Sequence, residues 1–259
     1  MLNILCLLIT SPTEQQARRA ASWYKIAHVN HLYEMCKRNI TVPFKFYCMT
    51  GEIDRTEFHS GIQFLRYPDY GFFDKSVYYK VSMFGDDVNE QLDNNQRVFF
   101  DLDIIIRKNI DDVVTYQQDD KVTLIRAMWR ADTYEKGFPL YHHQLNSSCM
   151  TWKPSPKVTD IWNKFWTNPE YYLTKYRWGM DGYLAYEATN LNTFPEGIFY
   201  SHFYGVDWRL NDPDPVNTTD PTGMYRASKC VEIVKDYPVV LLNGPVKEEP
   251  YQFFSQYYS

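Results

Sequence analysis

What this chain lacks narrows its class before any motif is read. It has no long apolar run. The nearest is Met1–Thr10 (MLNILCLLIT), far shorter than the ~20 residues a membrane span needs. That segment also lacks a basic n-region and a small-residue cleavage site, so it reads as a buried first strand and not as a signal peptide. Cysteine is scarce. Cys6, Cys36, Cys48, Cys149 and Cys230 form an odd set with no CxxC pair, which argues against a disulfide framework and a structural zinc site and points to the cytosol. Without a secretory route, the glycosylation patterns at Asn39, Asn146 and Asn217 carry no weight. No Lys/Arg cluster is present, and 27 Lys+Arg against 32 Asp+Glu leave a net charge of −5. A protein that coats nucleic acid is thereby excluded. Repeats, low-complexity linkers and domain boundaries are missing too, so one domain is expected.

What is abundant is aromatic: 22 Tyr, 16 Phe and 7 Trp, or 17% of the 259 residues. Rings cover sugar faces and stack on bases, but they also fill cores, and composition alone points to the core.

Patterning gives the fold class. Ile4–Ile9 reads as a strand, 13 to 39 as a helix, Phe44–Met49 and Gly61–Tyr67 as strands, and 76 to 85 as a short helix ending at a glycine. Val98–Ile106 (VFFDLDIII) reads as one strand whose apolar run is broken only by two aspartates. This alternation predicts an α/β fold with a mostly parallel central sheet flanked by helices, its cleft beside the strands' C-terminal ends. The second half carries helices at 155–166 and 179–189, a polar loop at 207–223, a short strand at Val239–Leu242 and an aromatic tail.

The strongest chemical feature is Asp101-Leu102-Asp103 between apolar triplets. In an extended strand residues two apart share a side, so both carboxylates are expected to face one site. Two like charges together are costly unless a cation lies between them. Mg²⁺ meets that need, held by one or two carboxylates and a substrate's phosphates. Taken one at a time, the other polar residues have plainer readings. Lys80 fits a surface charge, Asn146 a turn residue, and Asp181 the first turn of a helix. His142-His143 would point apart on a strand.

The run FFDLDIIIRKNIDDV resembles the signature strand of nucleotide-sugar-dependent glycosyltransferases of the GT-A fold, especially the family 8-like group. Further stretches agree in order. They are Leu32–Phe46, the Tyr78-Tyr79-Lys80 triplet, LNSSCMTW at Leu145–Trp152, GMDGY from Gly179, and VVLLNGPVKEEP from Val239. The resemblance implies a single GT-A-type domain, with 1–110 as its nucleotide-binding half and 111–259 as its sugar- and acceptor-binding half. It implies transfer from a UDP-sugar to a hydroxyl-bearing acceptor, such as a carbohydrate, with retention and metal-assisted departure of the diphosphate. By resemblance Asp101 contacts ribose or metal, and Asp103 and Asn243 complete the Mn²⁺ or Mg²⁺ site. Lys80, Gly244 and Lys247 contact the donor, Asn146 the donor sugar, and Asp181 the donor or acceptor hydroxyls. Asn243 stands where the family carries a His, and a neutral amide is the weaker ligand. Gly182 replaces the Gln of the helix-opening segment. Two alternatives stand beside this reading: a catalytically degenerate binder of nucleotide sugar or glycan, and a haloacid-dehalogenase-like phosphatase with Asp101 as nucleophile.

Overall fold

The computed structural model describes residues 1–9, 24–51, 53–66, 79–127, 144–176, 179–201 and 235–242. The seven-stranded sheet starts from β1 (Leu2–Leu8), which lies parallel to both β2 (Phe44–Thr50) and β4 (Gln96–Phe100). On the far side of β2, β3 (Ile62–Arg66) is parallel as well. Beyond β4 the sense changes: β7 (Leu145–Trp152) is antiparallel to β4 and to β6 (Val122–Arg126), and β8 (Leu191–Thr193) runs parallel to β6. The order is β3-β2-β1-β4-β7-β6-β8, mostly parallel as the alternation predicts.

Strand periodicity decides what covers each face. Leu2, Ile4, Cys6 and Leu8 of β1 pack with Phe46, Val98 and Phe100 under α1 (Ile26–Asn39), which contributes Val29, Leu32, Met35 and Cys36. Those four positions recur at three-to-four spacing, one stripe of a helix. The odd partner, Leu5, joins Tyr47, Met49, Phe99, Met150 and Trp152 on the opposite face. There α5 (Pro156–Thr167), α6 (Pro169–Lys175) and α7 (Met180–Glu187) cover the sheet. A strand flanked on both sides and covered on both faces is a nearly continuous apolar run, and LNILCLL is one but for Asn3, whose buried amide donates to Asp93 Oδ1 at 2.6 Å. Each large side chain so buried contributes about 1.5–3 kcal/mol.

Of the helix expected at 13–39, residues 13–23 lie outside the described residues and the helix starts at Ile26; two further expected elements differ. Val98–Ile106 is not one strand: β4 ends at Phe100, and β5 (Ile104–Ile106) belongs to a second, three-stranded sheet. In that sheet β10 (Val239–Leu241) pairs antiparallel with β5 and parallel with β9 (Phe199–Ser201). Between β4 and β5 the chain turns at Leu102 and Asp103. The apolar triplets are each buried, but aspartate carboxylates suit a turn better than a strand covered on both faces. The helix expected at 76–85 is also shorter. Within its described part α2 spans only Tyr79–Ser82, and Gly85 opens the next helix, α3 (Asp86–Asn89), instead of ending the first. Its glycine is demanded by proximity, since a Cβ there would lie 2.7 Å from the Trp162 ring.

The α4 turn (Asp111–Val114) accounts for the end of the signature run. Asp111 accepts from the backbone N of Thr41 at 2.8 Å and from its hydroxyl. These bonds hold its carboxyl below the usual range. They tie α4 to the α1–β2 connection, a structural role.

Candidate active site

Asp101 follows directly on β4, at the C-terminal edge of the parallel part of the sheet. β7 runs the other way, so its first residues reach the same edge. There β7 leaves its register with β6: Leu124 faces Met150, but the next residue, Ile125, faces Asn146. One step on β6 thus spans four on β7, and Ser147, Ser148 and Cys149 have no β6 partner. Their polar groups serve the site instead. The Ser148 carbonyl accepts from Asp101 N at 2.8 Å, and Ser148 N donates to Asn146 Oδ1 at 3.0 Å. Ser147 N and Oγ both donate to Asp181 Oδ1, at 2.9 and 2.5 Å.

Asp181 lies in the first turn of α7, where a carboxylate suits the exposed N–H groups of a helix start. Gly179 ahead of it has φ 135°, a conformation that glycine adopts without a Cβ penalty. Lys80, from the α2 turn, meets Asp101 with Nζ 2.6 Å from Oδ1 and 2.7 Å from Oδ2. The Lys80 ammonium also lies 5.2 Å from the Phe99 ring centre, a cation–π distance. Side-chain exposures of 12% and 21% set this pair apart from Lys37–Glu34 at 45% and 42%. Only the more buried pair escapes most solvent screening.

The structure therefore brings Lys80, Asp101, Asn146 and Asp181 into one bonded network. Asp103 is adjacent and buried. Its carbonyl accepts from Leu242 N at 2.9 Å, so the described end of β10 abuts the turn. The two carboxylates do not share a strand face as expected, because Leu102 and Asp103 are in a turn. Asn243, Gly244 and Lys247 lie outside the described residues, as do His142, His143, the 207–223 loop and the aromatic tail.

The sequence reading missed the part played by Ser147 and Ser148. The available signal was three small polar residues in a row, Asn146-Ser147-Ser148, ahead of the apolar part of a buried strand. Such a run neither alternates nor fills a core, and marks an irregular strand. Cys149 is no nucleophile. Burial, with help from the Asp101 charge, pushes its thiol well above the usual range and keeps it protonated.

Among the described residues no group of three or more His, Cys, Asp or Glu could hold a metal. Asp101 and Asp103 each carry a carboxylate, an oxygen-donor group. That chemistry suits a hard cation shared with substrate phosphates, provided Lys80 releases Asp101.

The helix-flanked sheet has the fold of GT-A-type glycosyltransferases. Individual likenesses follow. An active-site mutant of LgtC matches with a TM-score of 0.63 at 10% identity, over 98% of this chain and 94% of that one. The galactosyltransferase LgtC in complex with donor and acceptor sugar analogues matches at 0.60 and 10%, over 99% and 96%. The glycosyltransferase GlyE of Streptococcus pneumoniae TIGR4 matches at 0.60 and 10%, over 98% of this chain and 61% of its own. No family model and no curated protein matches the sequence. No helix among the described residues is long and apolar enough to cross a membrane.

Proposed function

We propose that the protein is a glycosyltransferase that moves a sugar from a nucleoside-diphosphate donor, a UDP-sugar, to a hydroxyl-bearing acceptor, with retention. The observation that carries this reading is the Asp101 network. An Asp-x-Asp turn at the C-terminal edge of the parallel strands is bonded to a lysine, and through the β7 irregularity to Asp181, on a fold whose solved neighbours are glycosyltransferases.

On this reading Lys80 and Lys247 meet the donor's phosphates, and Gly244 lets the backbone approach them. Asn146 bonds the donor sugar, while Asp181 takes a hydroxyl of donor or acceptor. Asp101, Asp103 and Asn243 hold Mn²⁺ or Mg²⁺. A divalent ion held by these residues would supply positive charge to the departing diphosphate. The acceptor hydroxyl is held above the anomeric carbon by positioning. Residues 1–110 form the nucleotide-binding half and 111–259 the other half of one domain. The cytosol is the proposed compartment, supported by the free, buried Cys6, Cys36, Cys48 and Cys149.

A second reading is a binder without turnover. It is favoured by one observation, the closure of both Asp101 oxygens by Lys80. The phosphatase alternative gains no support, since the solved neighbours named above are glycosyltransferases.

The test is release of nucleotide from a panel of nucleotide sugars, with Mn²⁺, Mg²⁺ or chelator, in wild type and Asp103→Asn. Metal-dependent release from one donor, lost in the variant, is the expected result. Binding without any release, with or without a hydroxyl acceptor series, would leave the binder in its place.

A further inference from the structure

We infer that Ser147 is a positioning residue for sugar recognition, fixing the Asp181 carboxylate that reads the donor's sugar. This inference rests on the proposed function and names a residue which that function does not include.

The argument starts from the backbone. β7 is paired on both sides along most of its length, so its N–H groups are ordinarily consumed by β4 and β6. The register jump between Asn146 and Met150 releases Ser147 from β6. Ser147 is 4% exposed, and a buried N–H must find an acceptor inside the protein. It finds Asp181 Oδ1 at 2.9 Å, from a helix 34 residues further on. The hydroxyl of the same residue reaches the same oxygen at 2.5 Å.

Two donors from one residue on one carboxylate oxygen restrict where that carboxylate can turn. A bracket that only closed the irregularity would need the N–H bond alone. The added hydroxyl is a second, charge-assisted constraint. Its neighbour Asn146 carries its own side-chain oxygen to Ser148 N, so two adjacent β7 residues set two polar groups of the site. Binding groups held in this way recognise hydroxyls without a further ordering cost.

The experiment compares binding of UDP with binding of UDP-glucose, UDP-galactose and UDP-N-acetylglucosamine, by calorimetry with Mn²⁺. Wild type, Ser147→Ala and Thr151→Val are titrated. Thr151→Val removes another buried β7 hydroxyl, one that bonds Tyr116 O at 2.7 Å away from the network. Ser147→Ala is expected to weaken the best UDP-sugar by about five- to tenfold and to leave UDP itself within about twofold. Thr151→Val should change neither ratio, and melting curves should show both variants folded. Equal weakening of UDP and UDP-sugar, or no weakening of either, overturns the inference while leaving the proposed function intact. Failure of the wild type to bind UDP removes the proposed function and this inference with it.

Discussion

Glu187 and Asp101 are both among the carboxylates that lysine binds in this protein, and they teach different things. Glu187, at the end of α7, is held by Lys175 at 2.8 Å and by Lys164 at 2.9 Å, and it accepts from the Tyr176 hydroxyl. Burial alone would raise its carboxyl, but the bonds from Lys175, Tyr176 and Lys164 win and hold it at about 2. This cluster joins three consecutive helices on one face of the sheet. Asp101 pairs with Lys80, lies between the end of β4 and the turn at Leu102 and Asp103, and adjoins the β7 irregularity. A saturated carboxylate between helices is a clamp. A carboxylate with a lysine at the edge where parallel strands end is, on the proposed function, the one that exchanges its cation for a ligand. The comparison predicts that damage at Glu187 is read in stability and damage at Asp101 in binding.

The largest effect is expected at the turn itself. Asp103→Asn should reduce metal-dependent nucleotide release by about a hundredfold or more, with a melting temperature close to wild type. A comparable loss of folding and activity together would erase the contrast. Next comes Lys80→Met, expected to weaken UDP binding by about tenfold while direct Mn²⁺ titration without nucleotide becomes tighter, since Asp101 is released. Unchanged affinity for both would remove Lys80 from the donor site. Glu187→Gln should lower stability by about 1–3 kcal/mol in denaturant unfolding and keep release rates within about twofold. The smallest expected loss is at Ser155, whose hydroxyl caps α5 by accepting from Val158 N. Ser155→Ala should cost about 1 kcal/mol and leave UDP binding alone.

The clamp also has a pH signature. Glu187 titrates at about 2 in the fold against 4.5 as the ordinary value. With the folded value the lower one, its contribution is complete above the unfolded value and is lost as pH falls through the folded one. The stability gap between wild type and Glu187→Gln should be flat above about pH 5 and should shrink towards pH 2. A gap that widened on acidification would reverse the assigned sign.

How much of this was legible in the sequence differs from element to element. β1, β2 and β3 were readable as apolar runs, and α5 and α7 within a residue or two, because burial on both faces or along one stripe leaves a period. β8 and β9, three residues each, are too short to carry one. The break at Asp101–Asp103 was hidden for a different reason. Both flanking triplets are apolar, and no local pattern says that they belong to different sheets. At the site the resemblance named Lys80, Asp101, Asn146 and Asp181, all of which the fold links. Asp101 and Asp103 do not share the strand face that their spacing predicts, because the chain turns at Leu102 and Asp103. Ser147 was invisible because its importance arises from a register jump between strands, a tertiary fact.

The most direct test of the central claim, that the Asp101–Asp103 turn is a diphosphate site, is a calorimetric titration of UDP with Mn²⁺ and with chelator. Wild type and Asp103→Asn would be measured side by side. The account predicts binding to wild type that is at least about tenfold tighter with Mn²⁺, and loss of that difference in Asp103→Asn. UDP affinity that ignores both the metal and the substitution, or no UDP binding at all, would contradict it.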